Sequence, residues 1–340
     1  MKKHINIPIF IPHMGCPHNC IFCNQVKISG HNRPDFGNIR SEIEKALATT
    51  DPEKQEIQLA YFGGSFTGID REDLEYLLRL GKEFIDSGRI HSMRCSTRPD
   101  YINEEIIALL KENGMKTVEL GIQSCSDDVL KLNERGHTCE QSRMAAIEIV
   151  KSGMEFVGQM MVGLPGSDEE KEIETAEKIS EWGAVGARIY PCIVLKNTKL
   201  SEMAESGEYV PMTTVQAAQR CENAFEVFLH HGVDVIRIGL QSTDSLTSGD
   251  DVACGEYSES VGEMCIAMYF DRLLRKKLEG KDCSGKVVNV HANPKRISSV
   301  AGYKKENKNR IIKEYGLFDM KIKGDPNVEE FELRTTIVER

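Results

Sequence analysis

Short apolar segments alternate with longer amphipathic ones along most of this chain, and that alternation constrains the fold more than any other feature. Candidate strands are Ile5–Ile11, Ile57–Phe62, Ser92–Ser96, Thr117–Gly121, Phe156–Val162 and Ala187–Ile193. Each ends near Gly, Pro, Ser or Cys. Between them lie helical patterns. Asp70 and Asp73 precede LEYLLRL, and Asn103 precedes EEIIALLKENG, with Gly114 as its stop. Ser167 and Glu170 are placed for a capping box before the next helix. Six strand–helix units in register point to a parallel sheet. The fold class is α/β, a partial (β/α)6 TIM-like barrel with a small α+β C-terminal extension. Residues 1–245 are expected to form the barrel and 246–340 the extension. In the extension, a helix near Gly262–Leu278, a strand at Val287–Val290, a basic helix near Lys304–Tyr315 and a strand near Phe331–Val338 are expected. Another strand, Val233–Ile238, precedes a Ser/Thr/Gly/Asp-rich loop, Ser242–Asp251.

The unusual residues gather at the C-terminal ends of the strands, where barrels and open α/β sheets place their ligands. Cys16 to Cys23 follow the first strand, and Gly63-Gly64-Ser65 the second. Thr97-Arg98-Pro99, Gln123-Ser124, Gly163-Leu164-Pro165-Gly166 and Tyr190-Pro191 follow the others. Gly-x-Gly-x-x-Gly is absent after the first strand, which disfavours a dinucleotide-binding dehydrogenase. No run approaches 18 apolar residues, and the basic N-terminus lacks the apolar core of a signal peptide. A cytoplasmic chain without a membrane segment is expected.

Eleven cysteines are too few, and odd in number, for a disulfide scaffold in 340 residues. Three of them, Cys16, Cys20 and Cys23, sit in GCPHNCIFCNQ with the spacing C-x3-C-x2-C. Three thiolates on one loop suit a metal centre. Iron–sulfur clusters usually take four Cys ligands; three leave one iron open to a substrate. A Cys3His zinc site using His13, His18 or His31, and chance clustering, are the alternatives at this point.

C-x3-C-x2-C with Phe22 before the last Cys resembles the radical S-adenosylmethionine (SAM) superfamily. YFGGSFTGI resembles its Gly-Gly-Glu-type motif, with Ser65 where Glu is commoner. VELGIQS, ERGHT and MMVGLPG follow in the family's order. Together with STRPDYI and RIYP they are most similar to the branch containing the Elongator catalytic subunit and its shorter bacterial relatives, over roughly residues 5–240.

The resemblance implies a 4Fe-4S cluster on Cys16, Cys20 and Cys23, with SAM chelating the open iron. Reductive cleavage of SAM then gives a 5′-deoxyadenosyl radical that abstracts hydrogen from a substrate. It implies Phe22 beside the adenine, backbone carbonyls at Gly63 and Gly64 on the SAM ammonium, and Gln123 on the ribose. It implies Arg135 on the SAM carboxylate, Gln159 facing SAM, and Gly163 and Pro165 shaping the adenine-side loop. A reducing partner, flavodoxin or ferredoxin, is implied. Catalytic residues acting on the substrate are not assigned. Beyond residue 240 there is no Gly-rich turn of the kind that binds a coenzyme A pyrophosphate, so acetyl transfer is not carried over.

The net charge is −10, yet Lys286–Lys323 holds ten Lys or Arg against three acids, a local +7 that leaves −17 elsewhere. Lys295, Arg296, Lys304, Lys305, Lys308, Arg310 and Lys313 are the candidate phosphate contacts. The expected function is a radical SAM enzyme with tRNA as candidate substrate. The rivals are a radical SAM enzyme for a tetrapyrrole-like small molecule and a zinc-stabilised RNA-binding module without catalysis.

Overall fold

A computed structural model describes residues 3–11, 16, 20–24 and 36–339. Its strands are β1 (Lys3–Ile11), β2 (Gln55–Gly63), β3 (Ser92–Thr97), β4 (Met115–Gln123), β5 (Glu155–Val162), β6 (Gly186–Pro191), β7 (Val194–Leu195), β8 (Asp234–Ile238), β9 (Val252–Cys254), β10 (Val287–Ala292), β11 (Asp319–Gly324) and β12 (Leu333–Val338). The helices are α1 (Phe36–Leu47), α2 (Arg71–Asp86), α3 (Glu104–Glu112), α4 (Asp127–Leu132), α5 (Cys139–Lys151), α6 (Glu169–Glu181), α7 (Lys199–Glu205), α8 (Thr214–His230), α9 (Asp244–Thr247), α10 (Val261–Leu278), α11 (Ile297–Ala301) and α12 (Glu306–Glu314).

Strands β1, β2, β3, β4, β5, β6 and β8 form one all-parallel sheet in that order, curled into a half-barrel. The six expected strands are all present, and the further strand expected at Val233–Ile238 joins the same sheet as β8, so the sheet has seven strands rather than six. Side chains alternate between the two faces of each strand. Leu59 and Tyr61, Met93 and Cys95, Val118, Leu120 and Ile122, and Ala187 and Ile189 point outward. They share one core with Leu74, Leu77 and Leu78 of α2, Leu110 of α3, Ile149 of α5, Ile179 of α6 and Phe225 of α8. Burying each of the Leu, Ile, Val, Met and Phe side chains contributes roughly 1.5–3 kcal/mol. The intervening residues Phe62, Arg94, Glu119, Gln159 and Arg188 line the concave face.

Caps fix where the helices begin. The Asp70 carboxylate accepts from the Glu72 amide, and the Asn103 side chain accepts from the Ile106 amide. The expected capping box of Ser167 and Glu170 is not formed. Asp168 is the N-cap and accepts from the Lys171 amide, while the Ser167 hydroxyl donates to Glu172 at 3.1 Å.

In the C-terminal region β10 runs between parallel β11 and antiparallel β12. Phe270 and Leu274 of α10, Val300 and Ile311 cover this sheet in a second core. The basic helix begins at Glu306 rather than Lys304. Lys304 and Lys305 hold left-handed backbones (φ 46° and 65°), which a right-handed helix excludes. The short strands β7 and β9 pair antiparallel over the rim.

Candidate functional site

Cys16, the segment Cys20–Cys23 and the ends of β2 to β6 meet at one rim. Cys16, Cys20 and Cys23 are free thiols there. Burial raises the Cys16 thiol above its ordinary range, opposed by the nearby guanidinium groups of Arg135 and Arg98. The Ser65 backbone amide also donates to Cys16, which sets the first cysteine against the Gly-Gly-Ser turn. The Cys20–Cys23 segment is tied down by backbone bonds: the Ile21 amide donates to Asn133 O (3.3 Å), and the Leu200 amide to Ile21 O (2.9 Å).

Arg135 is the centre of this rim. It is only 7% exposed. Its Nη1 donates to Cys20 Sγ at 3.2 Å and its Nη2 to the Gly121 carbonyl at 2.5 Å. Arg98 supports it from behind. Arg98 grips Asp100 through two bonds of 2.9 Å and donates to the Arg135 carbonyl at 2.6 Å. His137, buried beside both arginines, is held down to about 3 by burial and by those two positive charges, so it stays neutral at ordinary pH.

The turns around this centre need unusual backbones. Gly63 has φ 112° and Gly163 φ 77°, and a Cβ on Gly163 would stand 2.1 Å from Met212 Cε. Gln123, though not a glycine, has φ 68° at a register shift between β4 and β5. That strain, of order 1–3 kcal/mol, turns its side chain to meet Gln159 at 3.5 Å. The Gly163 amide donates to Glu172 (2.6 Å) and its carbonyl accepts from Tyr209 (2.7 Å). Arg220 of α8 in turn grips Glu172 with both ends. Asn133 Nδ2 donates to the Pro165 carbonyl at 3.0 Å, joining the cysteine segment to the Gly-Leu-Pro loop.

The structure therefore brings Cys16, Cys20, Gly63, Gly64, Gln123, Arg135, Gln159, Gly163 and Pro165 to one rim. Phe22 lies beside them, buried in a small apolar cluster with Cys20, Ile21, Met161 and Leu164, against which Cys23 packs. Sequence reasoning passed over Asn133, Asp100, Glu172 and Arg220, whose roles depend on contacts across the fold. It also passed over Arg94, Glu119 and Arg188 on the concave face. Glu119 accepts from Arg94 Nη2 (3.1 Å) and Arg188 Nε (2.9 Å), and both guanidinium groups lie over Phe62. Their signal was present as charged residues at alternating positions inside apolar strands. Tyr190, above them, hydrogen-bonds to Arg188.

The basic C-terminal residues are largely neutralised. Lys295 and Arg296 pair with Glu330, Lys308 with Asp319, and Arg310 with Asp271. Lys304, Lys305 and Lys313 stay exposed.

The family model of the radical SAM superfamily matches residues 10–179, and that of the radical SAM C-terminal domain matches residues 184–267. The chain belongs to the radical SAM superfamily. It is a radical SAM enzyme, and its cofactors are those of the family, a 4Fe-4S cluster and SAM. An uncharacterized protein of Methanocaldococcus jannaschii is 29% identical over 81% of this chain and 86% of its own length. A tRNA uridine(34) acetyltransferase of the same organism is 32% identical over 46% of this chain, which spans only 29% of that relative. Mouse Elongator complex protein 3 is 27% identical over 58% of this chain and 44% of its own length. Among solved structures, archaeal Elp3 of Methanocaldococcus infernus shares the fold. Its TM-score is 0.63 at 22% identity, covering 82% of this chain and 64% of that one.

The rim of this radical SAM enzyme fits such cofactors. The donor set is three thiols on one loop. Arg135 Nε and Arg98 Nη1, both buried, have no hydrogen-bond partner among the described residues. Donors left unpaired in this way are costly unless an acceptor arrives. The three histidines of the zinc alternative, His13, His18 and His31, lie outside the described residues. Among the described residues no group of three His, Cys, Asp or Glu side chains is placed to hold a single metal ion. No helix among them is long and apolar enough to cross a membrane.

Proposed function

We propose that Cys16, Cys20 and Cys23 hold the 4Fe-4S cluster, that SAM lies against Gly63, Gly64, Gln123, Arg135, Gln159 and the Gly163–Pro165 loop, and that the substrate is tRNA. When bound, the cluster and SAM supply one-electron reductive cleavage that generates a 5′-deoxyadenosyl radical. The protein's own residues bind and orient. The observation that carries this reading is Arg135, buried at the rim and touching both Cys20 and the end of β4. The Arg135 Nε–H, unpaired among the described residues, is the donor it offers to a carboxylate. Arg98 and Asp100 keep it aimed, Glu172 with Arg220 fixes the Gly163 amide, and Gln123 and Gln159 offer neutral amides to a ribose. Phe22 contributes apolar surface under the Gly-Leu-Pro loop.

The tRNA reading is supported by the relatives named for tRNA uridine(34) acetylation, although this chain spans less than half of each. The exposed Lys304, Lys305 and Lys313 are the phosphate contacts available to it. A low-potential flavodoxin or ferredoxin as reductant, a cytoplasmic setting, and a division near residue 245 between barrel and extension belong to the same proposal.

The test is anaerobic reconstitution with iron and sulfide analysis, followed by a 5′-deoxyadenosine assay with SAM and dithionite. About four irons per chain with 5′-deoxyadenosine formation is expected, and both are expected to be lost in Cys20→Ala. Adding bulk tRNA is expected to raise product formation above the basal rate. A basal rate indifferent to tRNA would overturn the substrate while leaving the cofactor chemistry standing.

A further inference from the structure

Two thiols away from the cofactor rim face each other. Cys125 lies two residues beyond Gln123, and Cys139 opens α5. Each thiol perturbs the titration of the other, and both meet α6 within one turn, Cys125 at Thr175 and Cys139 at Lys178. Cys125 is buried in the core behind the sheet, and Cys139 packs half-buried against that core. Backbone anchors hold both in place. The Cys125 amide donates to Thr175 Oγ1 at 2.9 Å, and the Cys139 amide to the Asp127 carboxylate at 2.7 Å.

The two sulfurs are not equivalent. Cys139 is the first residue of a 13-residue helix, where the backbone dipoles favour a thiolate. Lys178 Nζ of α6 stands 3.8 Å from its sulfur. Cys125 and Lys178 together hold the Cys139 thiol below its ordinary range, against burial and the charges of Asp127 and Glu174. Cys139 and burial push Cys125 up. An accessible low thiol beside a buried high one is the arrangement of an attacking and a resolving cysteine.

We propose that Cys125 and Cys139 are a thiol–disulfide exchange site whose oxidant is a small disulfide such as glutathione disulfide. The Cys139 thiolate attacks one sulfur of the oxidant. That S–S bond breaks, and one glutathione thiolate leaves with the electron pair. Cys125 attacks the Cys139 sulfur of the mixed disulfide and passes its proton to the second glutathione thiolate as that thiolate is expelled. Two protein thiols are oxidised by two electrons, and one small disulfide is reduced to two thiols. The new bond closes a ring around residues 126–138. That segment carries Asn133, Arg135 and His137, so the redox state of the pair is tied to the rim.

The experiment uses reconstituted holoenzyme under anaerobic conditions, equilibrated in glutathione buffers, alkylated, digested and read by mass spectrometry. Iron is measured in parallel, so that cluster loss is seen separately. A Cys125–Cys139 cross-link is expected, reversed by dithiothreitol, with iron retained. Cys125→Ser is expected to trap glutathione on Cys139, and Lys178→Gln to slow exchange several-fold. Two outcomes would overturn the site. In one, both cysteines stay alkylatable in the most oxidising buffer. In the other, glutathione persists on Cys139 of the unaltered chain.

Discussion

The two faces of the seven-stranded sheet are built on different principles. On the convex face, Leu59, Tyr61, Val118 and Ile189 meet the apolar stripes of α2, α3, α5, α6 and α8. These side chains are buried against one another in a single core. On the concave face and its rim, Glu119 balances two arginines, Gln123 is held at positive φ, and one donor each of Arg98 and Arg135 has no partner among the described residues. That face costs stability, through desolvated charge and strained backbone, and the convex face supplies it.

The contrast can be broken in order of effect. Glu119→Gln leaves Arg94 and Arg188 buried without a counter-charge, and a loss of about 3–5 kcal/mol is expected in chemical denaturation. A loss below about 1 kcal/mol would show that water or another group already neutralises them. Leu77→Ala, on the convex side, is expected to cost about 2–5 kcal/mol. Its 5′-deoxyadenosine yield per folded molecule is expected to match that of the unaltered chain. Arg135→Lys keeps the charge but loses the planar fork, and is expected to weaken SAM binding by about 1.5–3 kcal/mol with little change in melting temperature. An unchanged SAM affinity would remove Arg135 from the site.

A further effect is one of pH. His137 is depressed in the fold from 6.5 to about 3, so the folded state binds fewer protons than the unfolded one. Its contribution is fully present above pH 6.5 and is lost as pH falls toward 3. In His137→Gln, the slope of stability against pH in that window is expected to flatten. A slope equal to that of the unaltered chain would assign the acid sensitivity to other groups.

Much of this was legible in the residues. Ile57–Phe62 and Thr117–Gly121 read as strands because apolar, β-prone residues run between turn formers. Cys16, Cys20 and Cys23 read as ligands because thiols that close on a loop suit metal. Ser167 misled because a hydroxyl and a nearby carboxylate mimic a cap, and only the chain path shows that Asp168 holds that place. Strand β11 was hidden because DMKIKG buries only Met320, leaves Ile322 half-buried, and otherwise reads as basic surface.

The sequence by itself determined the α/β alternation, the placing of the special residues at strand ends, and the thiol spacing, because those are local periodicities and local chemistry. Only the tertiary structure decided that Arg98 steadies Arg135 across 37 residues, that Arg220 fixes Glu172, and that Glu119 serves two arginines from different strands. Only it brought Cys125 against Cys139 and paired the basic residues of the extension with acids. Side-chain partners distant in sequence are chosen by the packing of the whole sheet and its helices, and no periodicity along the chain records that choice.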